Sequence, residues 1–195
     1  ELREDGGEIE AALDGRLPTL VSPEDIRGDL QMHTTWSDGA HSLAELAGGV
    51  RARGYQYMAV TDHSKSATVA GGMKDEQVLQ MIAEVRALNK RLKGFRVLAG
   101  CEVDIKADGS LDYPDEILRQ LDLVLVSVHS RFKMSREEMT ARIVRAVQHP
   151  LVHMLGHPTG RLIGERGAYD VDMEAVLQAA RATGAAVEIN ASPSR

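Results

Sequence analysis

From Ile26 onward, short runs of β-branched and apolar residues alternate with longer segments of helical period, which limits the fold more than any other feature. The runs are Gly28–His33, Tyr55–His63, Phe95–Asp104, Leu121–His129, Leu151–His157 and Ala185–Asn190. The helices between them signal their own ends. Ser42 with Glu45 and Ser135 with Glu138 have the spacing of capping boxes, and Asp172 can cap a helix running to Gly184. Between Lys74 and Lys93, the residues Val78, Met81, Ile82, Val85, Leu88 and Leu92 share one helical face, with Gly94 as the stop. A shorter helix follows Pro114. Parallel strands need crossover connections rather than tight hairpins, so this alternation predicts an α/β fold around a parallel sheet, open or closed into a barrel.

Residues 1–26 have a different character. They are acidic, with one short helical candidate over Glu8–Leu13 followed by Pro18 and Ser22-Pro23-Glu24-Asp25, the pattern of an arm or linker. The domain proper is expected over residues 27–195, a length of about one domain. An eight-unit barrel takes roughly 250 residues, and the last apolar run here is the sixth. The expectation is therefore a chain cut inside its fold before a last strand, with Val187 and Ile189 along an open edge that invites pairing.

Composition excludes several classes. A chain 43% hydrophobic and 27% charged is neither disordered nor collagen-like. No apolar run approaches the ~18 residues of a membrane span, and Glu1-Leu2-Arg3-Glu4-Asp5 lacks the features of a signal peptide. Cys101 is the only cysteine, which excludes an internal disulfide framework and a Cys-rich zinc site and points to the cytoplasm. With 23 basic and 29 acidic residues the net charge is −6, which disfavours non-specific coating of DNA. A bound divalent ion would reverse that sign locally, so a metal-assisted phosphate site stays open.

The strand ends carry the chemistry. His33, Asp62-His63, Glu102, His129 and His157 lie at or near the C-terminal ends of five successive strand candidates, and Asp38 sits in the following Ser37-Asp38-Gly39 loop. In parallel α/β folds that edge is where active sites are built. Imidazole and carboxylate without thiolate suit Zn, Mn or Fe(II). Convergence from several strands suggests two or more ions, able to clamp the attacking and leaving oxygens of a phosphoryl displacement. Lys65, Arg131 and Arg161 each follow one of these residues by two to four positions, as candidates for a substrate phosphate. Each residue alone has a plainer role available, as a hydrogen-bonded histidine, a turn aspartate or a surface cation; their joint placement favours a metal site. The other histidines stay structural: His41 faces solvent, His149 ends a helix, and His153 makes a hydrogen bond in the core. Cys101 packs.

These motifs resemble those of polymerase and histidinol phosphatase (PHP) domains. The segments are Asp29-Leu-Gln-Met-His33, Ser37-Asp38-Gly39, Val60-Thr-Asp-His63-Ser, Gly100-Cys-Glu102-Val-Asp, Ser127-Val-His129-Ser and Gly156-His157-Pro. Ala70-Gly-Gly, Leu111-Asp-Tyr-Pro114 and Ser127-Val-His-Ser-Arg-Phe132 are most similar to the C-terminal PHP domain of bacterial family X DNA polymerases, and Glu1-Leu-Arg-Glu4 resembles the segment that joins polymerase to PHP there. The resemblance implies a distorted TIM-like (βα)7 barrel holding two to three divalent metals, Mn or Zn first and Fe next. It assigns His33, Asp38, His63, Glu102, His129 and His157 as ligands, with Glu102 bridging two ions. The implied activity is Mn-dependent 3′–5′ exonuclease at DNA 3′ ends, with 3′-end or abasic-site processing beside it, in DNA repair, next to a polymerase module in the same bacterial, cytoplasmic protein. Two departures stand out. Gln31 replaces the first histidine of the family's His-x-His, and the family's last Asp-x-His motif does not occur. The alternatives are a small-molecule phosphatase of histidinol-phosphatase type and a catalytically idle PHP domain with a structural role.

Overall fold

The computed structural model describes residues 6–190 and 192–195. The opening Glu1–Glu4 string, and its likeness to a polymerase-joining segment, lies outside the described residues. Six parallel strands form one sheet in sequence order: β1 (Gly28–Met32), β2 (Tyr57–Val60), β3 (Arg96–Asp104), β4 (Leu123–Ser127), β5 (Met154–Leu155) and β6 (Ala186–Val187). Between β1 and β2 lies α2 (Leu43–Ala52), and between β2 and β3 lies α3 (Asp75–Asn89). The next crossovers carry α4 (Asp115–Leu118), α5 (Arg136–Val147) and α6 (Met173–Thr183). The expected α/β architecture is present, as a curled sheet with helices. Ahead of it, α1 (Glu8–Leu13) buries no residue.

Strand β3 is the longest and shears the sheet. Its first half, Arg96–Ala99, pairs with β2, and its second half, Gly100–Asp104, pairs with β4. This stagger carries the C-terminal end of β3 well beyond that of β2, deep into the edge where the loops gather. Its alternating residues Val97, Ala99, Cys101 and Val103 are 0–1% exposed and join the core with α3 and α5.

The capping signals place the helices as expected. The Ser42 hydroxyl accepts from Glu45 N and Glu45 reaches back to Ser42 N; Ser135 and Glu138 do the same for α5. Asp172 Oδ1 accepts from Ala175 N at 3.1 Å. Helix α3 ends sooner than its apolar period suggests, at Asn89, because that amide pairs with the β3 backbone. Asn89 Nδ2 donates to Val97 O at 2.7 Å, and Val97 N donates to Asn89 Oδ1 at 2.9 Å. Strands β5 and β6 are shorter than expected, since Leu151 and Val152 turn and His157 leaves the ladder with φ 24°. Pairing continues one residue past β6, where Glu188 N donates to Leu155 O.

One cation is fully interior. Arg142 on α5 is 2% exposed, and among the described residues no carboxylate pairs with it. Its guanidinium donates to Ile105 O, to Lys106 O at 3.0 Å and to Ser130 O at 2.9 Å, joining the loops that leave β3 and β4. Arg142→Met is expected to cost roughly 2–4 kcal/mol, because three main-chain carbonyls lose a buried donor. The urea midpoint would fall with the slope unchanged; a midpoint equal to wild type would show that water replaces the guanidinium at no cost.

Candidate metal centre

The five strand ends do converge, and Glu102 is where they meet. Its carboxylate is 1% exposed and is approached by four imidazoles. His157 Nε2 stands 2.9 Å and His129 Nε2 3.2 Å from Oε1; His33 Nε2 stands 3.2 Å and His63 Nδ1 3.6 Å from Oε2. The rings follow one another edge to face, with centroids 4.5 Å apart for His33–His63, 4.9 Å for His63–His129 and 5.2 Å for His129–His157. Asp38 closes the group: its Oδ1 is 2.8 Å from His33 Nδ1 and its Oδ2 3.6 Å from His63 Nε2.

Polar groups behind these residues aim them. Asp62, 0% exposed, accepts from Thr34 N and Oγ1 and from Ser37 N and Oγ, which folds the loop that carries Asp38. In that loop Gly39 passes so close to the end of β1 that a Cβ would lie 2.2 Å from His33 O. Asp62 thus ties the first two strand ends together rather than capping its own segment. Asp104 Oδ1 accepts from His129 Nδ1 at 2.5 Å, which leaves Nε2 facing Glu102. His157 N donates to Glu188 Oε2 at 2.6 Å, holding an otherwise disfavoured positive φ.

Asp104 and Glu188 were missed as functional positions. The two-residue spacing Glu102–Asp104 puts both carboxylates on one face of β3, a signal that could have found Asp104. Nothing local marks Glu188, which lies 31 positions from its partner. Of the cations expected near phosphate, Lys65 is paired with Asp75 at 2.7 Å and lies over the Tyr113 ring. Arg131 is exposed with φ 57°, one residue from the cleft-lining Ser130. Arg161 lines a separate shallow depression with Leu162–Gly167. Among the described residues, the groups that approach the Glu102 carboxylate are imidazoles. His153 corrects another expectation. It is exposed rather than in the core, although its Nδ1 does accept from Val124 N at 3.0 Å. His41 is exposed, and Cys101 is buried, as expected.

The charges are strongly interdependent. Burial works against ionisation of Glu102, but hydrogen bonds from His129, His157 and His33 hold it well below the usual carboxylate range. Burial likewise works against protonated His33, yet Glu102 and Asp38 raise it to about 9. His129 is raised to about 9 against the same burial, by Asp104 and Glu102. His63 goes the other way, lowered by burial and by its cationic neighbours His33 and His129.

The donor set fits divalent cations. His33, Asp38 and His63 form one group, and His63, Glu102 and His129 another, with ligand atoms within 4.8 Å of one another. His63 Nδ1 and His157 Nδ1 are buried without a hydrogen-bond partner. Ligand atoms around a tetrahedral ion at about 2.1 Å lie roughly 3.4 Å apart, close to the 2.9–3.6 Å between Glu102 and its imidazoles. A cleft of ≈ 490 Å³ opens over the group, lined by Asp38, His63, Asp104, His129, Ser130 and the segment 66–70.

A family model described as "PHP domain" matches residues 29–192. Over 195 residues the chain is 44% identical to the DNA polymerase/3′-5′ exonuclease PolX of Bacillus subtilis (strain 168), all of this chain but 34% of that protein. Over 169 residues, 84% of the chain, it is 33% identical to a probable phosphatase of Thermoanaerobacter sp. (strain X514) and spans 64% of it. The chain therefore covers about a third of the first relative and just under two thirds of the second. Among solved structures, histidinol phosphate phosphatase from Lactococcus lactis, complexed with Zn, L-histidinol and phosphate, superposes with TM-score 0.55. That match covers 84% of this chain and 73% of that one at 17% identity, a likeness of fold.

The protonated imidazoles give a test on metal-free protein. His33 and His129 titrate near 9 folded and near 6.5 unfolded, so their contribution is complete below 6.5 and disappears as pH rises through 9. His63 acts only below 6.5, because its folded value is lowered. In EDTA, Tm is expected to fall between pH 6.5 and 9, and Glu102→Gln to flatten that slope. A Tm independent of pH across this window in wild type would mean the imidazoles are neutral without metal.

Proposed function

The chain belongs to the PHP domain family, and on that premise we propose that it is a metal-dependent phosphoesterase domain of a bacterial family X DNA polymerase, acting on DNA 3′ ends as a Mn-dependent 3′–5′ exonuclease. The observation that carries this is the buried Glu102 surrounded by four imidazoles, in a chain 44% identical along its whole length to a polymerase that bears exonuclease in its name. In this reading residues 1–26 are the arm from a polymerase module, residues 27–195 the PHP domain, and the site of action is the bacterial cytoplasm, in DNA repair.

Glu102, His129 and His157 would hold one ion, with His33, Asp38 and His63 supplying ligands for a second. When bound, Mn²⁺ or Zn²⁺ ions polarise a phosphoryl oxygen and make water a stronger nucleophile at neutral pH. The protein's own groups do the rest. Asp104 keeps the His129 Nδ1 proton in place, so that Nε2 offers its lone pair toward the centre. Asp62 fixes the Asp38 loop against the β2 end. Arg131, beside Ser130 on the cleft wall, supplies a guanidinium to the incoming phosphate, with Lys65 and Arg161 on the loops that follow β2 and β5.

A second reading, a small-molecule phosphatase, is favoured by the probable phosphatases that match 84% of the chain. The two separate by substrate: the exonuclease releases nucleotides from 3′-labelled DNA faster than it hydrolyses small phosphomonoesters. In the intact protein, His129→Ala is expected to lower Mn-dependent 3′ cleavage about 100-fold or more and to reduce bound metal measured by elemental analysis. Asp104→Asn should cost about 10–100-fold. His153→Ala, remote from the centre, should cleave like wild type. Full cleavage by His129→Ala, or no bound Mn²⁺ or Zn²⁺ in reconstituted wild type, would overturn the assignment.

A further inference from the structure

One stretch of the cleft lining, Ala67–Ala70, is uncharged and mostly apolar, and the chemistry of the metal centre does not account for it. After His63 the chain runs through Ser64-Lys65-Ser66 into a single 3-10 turn at Thr68–Ala70. Ala67, Thr68, Val69 and Ala70 line the same cleft as Asp38, His63, Asp104 and His129. Val69 at the apex is 104% exposed. A lone exposed valine is ordinary on a protein surface; one fixed over an active-site cleft between Thr68 and Ala70 is less so.

The turn is bolted to the site at both ends. Asp112, 5% exposed, accepts from Ser66 N at 2.7 Å and Ser66 Oγ at 2.6 Å. Ser64 Oγ accepts from Asp104 N at 2.9 Å, and Met73 N donates to His63 O at 2.8 Å. At Gly72 a Cβ would stand 1.9 Å from Ser64 O, so the segment closes on itself too tightly for any side chain there. Val69 is therefore held at a set position relative to His63 and Asp104. The cleft of ≈ 490 Å³ is far larger than a phosphate group needs and falls in the range of small-molecule sites, roughly 300–1,000 Å³.

We infer that the Ala67–Ala70 wall receives the base of the terminal nucleoside while its phosphate lies at the Glu102–His129 end of the cleft, with Val69 as the specificity-determining contact. This rests on the DNA 3′-end reading above. The wall carries no charge, and Thr68 brings its one side-chain hydroxyl, so it recognises the presence of a flat apolar base rather than its identity. A group that ends in phosphate and carries no base leaves Val69 uncovered.

The test uses the intact protein with Mn²⁺ and two labelled oligonucleotides, one ending in an ordinary 3′ nucleoside and one in a base-less tetrahydrofuran nucleoside. Wild type is expected to prefer the ordinary end in kcat/KM. In Val69→Ser that preference should shrink about tenfold, the order of one apolar group in a pocket, and in Val69→Leu it should persist. An unchanged preference in Val69→Ser, or equal use of both ends by wild type, would overturn the base contact while the exonuclease reading stands. Cleavage of neither end by a protein that hydrolyses a small phosphomonoester would instead overturn the DNA reading, and the base contact with it.

Discussion

A carboxylate with 1% of its surface exposed has lost nearly all its hydration, and Glu102 stays ionised because hydrogen bonds from His129, His157 and His33 take the place of water. The arrangement works in both directions. Glu102 in turn helps to hold its neighbours protonated, together with Asp38 for His33 and Asp104 for His129. A divalent cation satisfies the same anion and competes with those protons for the same nitrogens. The fold has to bring residues from five strand ends within a few ångströms of one atom pair, and the sheared, curled parallel sheet does this through the overlong β3.

Convergence alone would not aim the side chains. That task falls to polar groups one layer further out, each joining two segments distant in sequence, with Asp62 and Asp104 buried and Glu188 half-buried. Asp62 connects the loop after β1 to the end of β2, Asp104 orients the histidine after β4, and Glu188, just past the neighbouring β6, holds the backbone of His157. Arg142 does the same for backbone carbonyls, donating to the exits of both β3 and β4. Such groups are costly when half satisfied and rigid when fully satisfied, so the cleft is walled by loops that are individually irregular but collectively fixed. The turn carrying Val69 belongs to this rigid set.

The cations are placed differently. Lys65 is drawn to Asp75 at the start of α3, because a flexible ammonium finds the nearest carboxylate, whereas Arg131 is exposed beside the cleft in a left-handed backbone conformation. The negative surface of the chain as a whole does not oppose phosphate binding if the charge at the centre is inverted by ions.

The parallel α/β class, the capped ends of α2, α5 and α6, and the six residues at the centre were legible in the sequence, because each depends on local period or on placement at a strand's end. The shortness of β5 and β6, the early end of α3 at Asn89 and the exposure of His153 were not, because they depend on which backbone groups a neighbouring segment satisfies. Asp104, Glu188 and Arg142 were hidden for the same reason: each is defined by partners 25 to 37 positions away, and a linear chain does not show them. By itself the sequence determined which side chains could bind a metal and at which edge of the sheet. Only the tertiary structure decided that one carboxylate should serve four imidazoles, since that follows from the shear of β3 and the desolvation of Glu102, neither of which is a property of any residue alone.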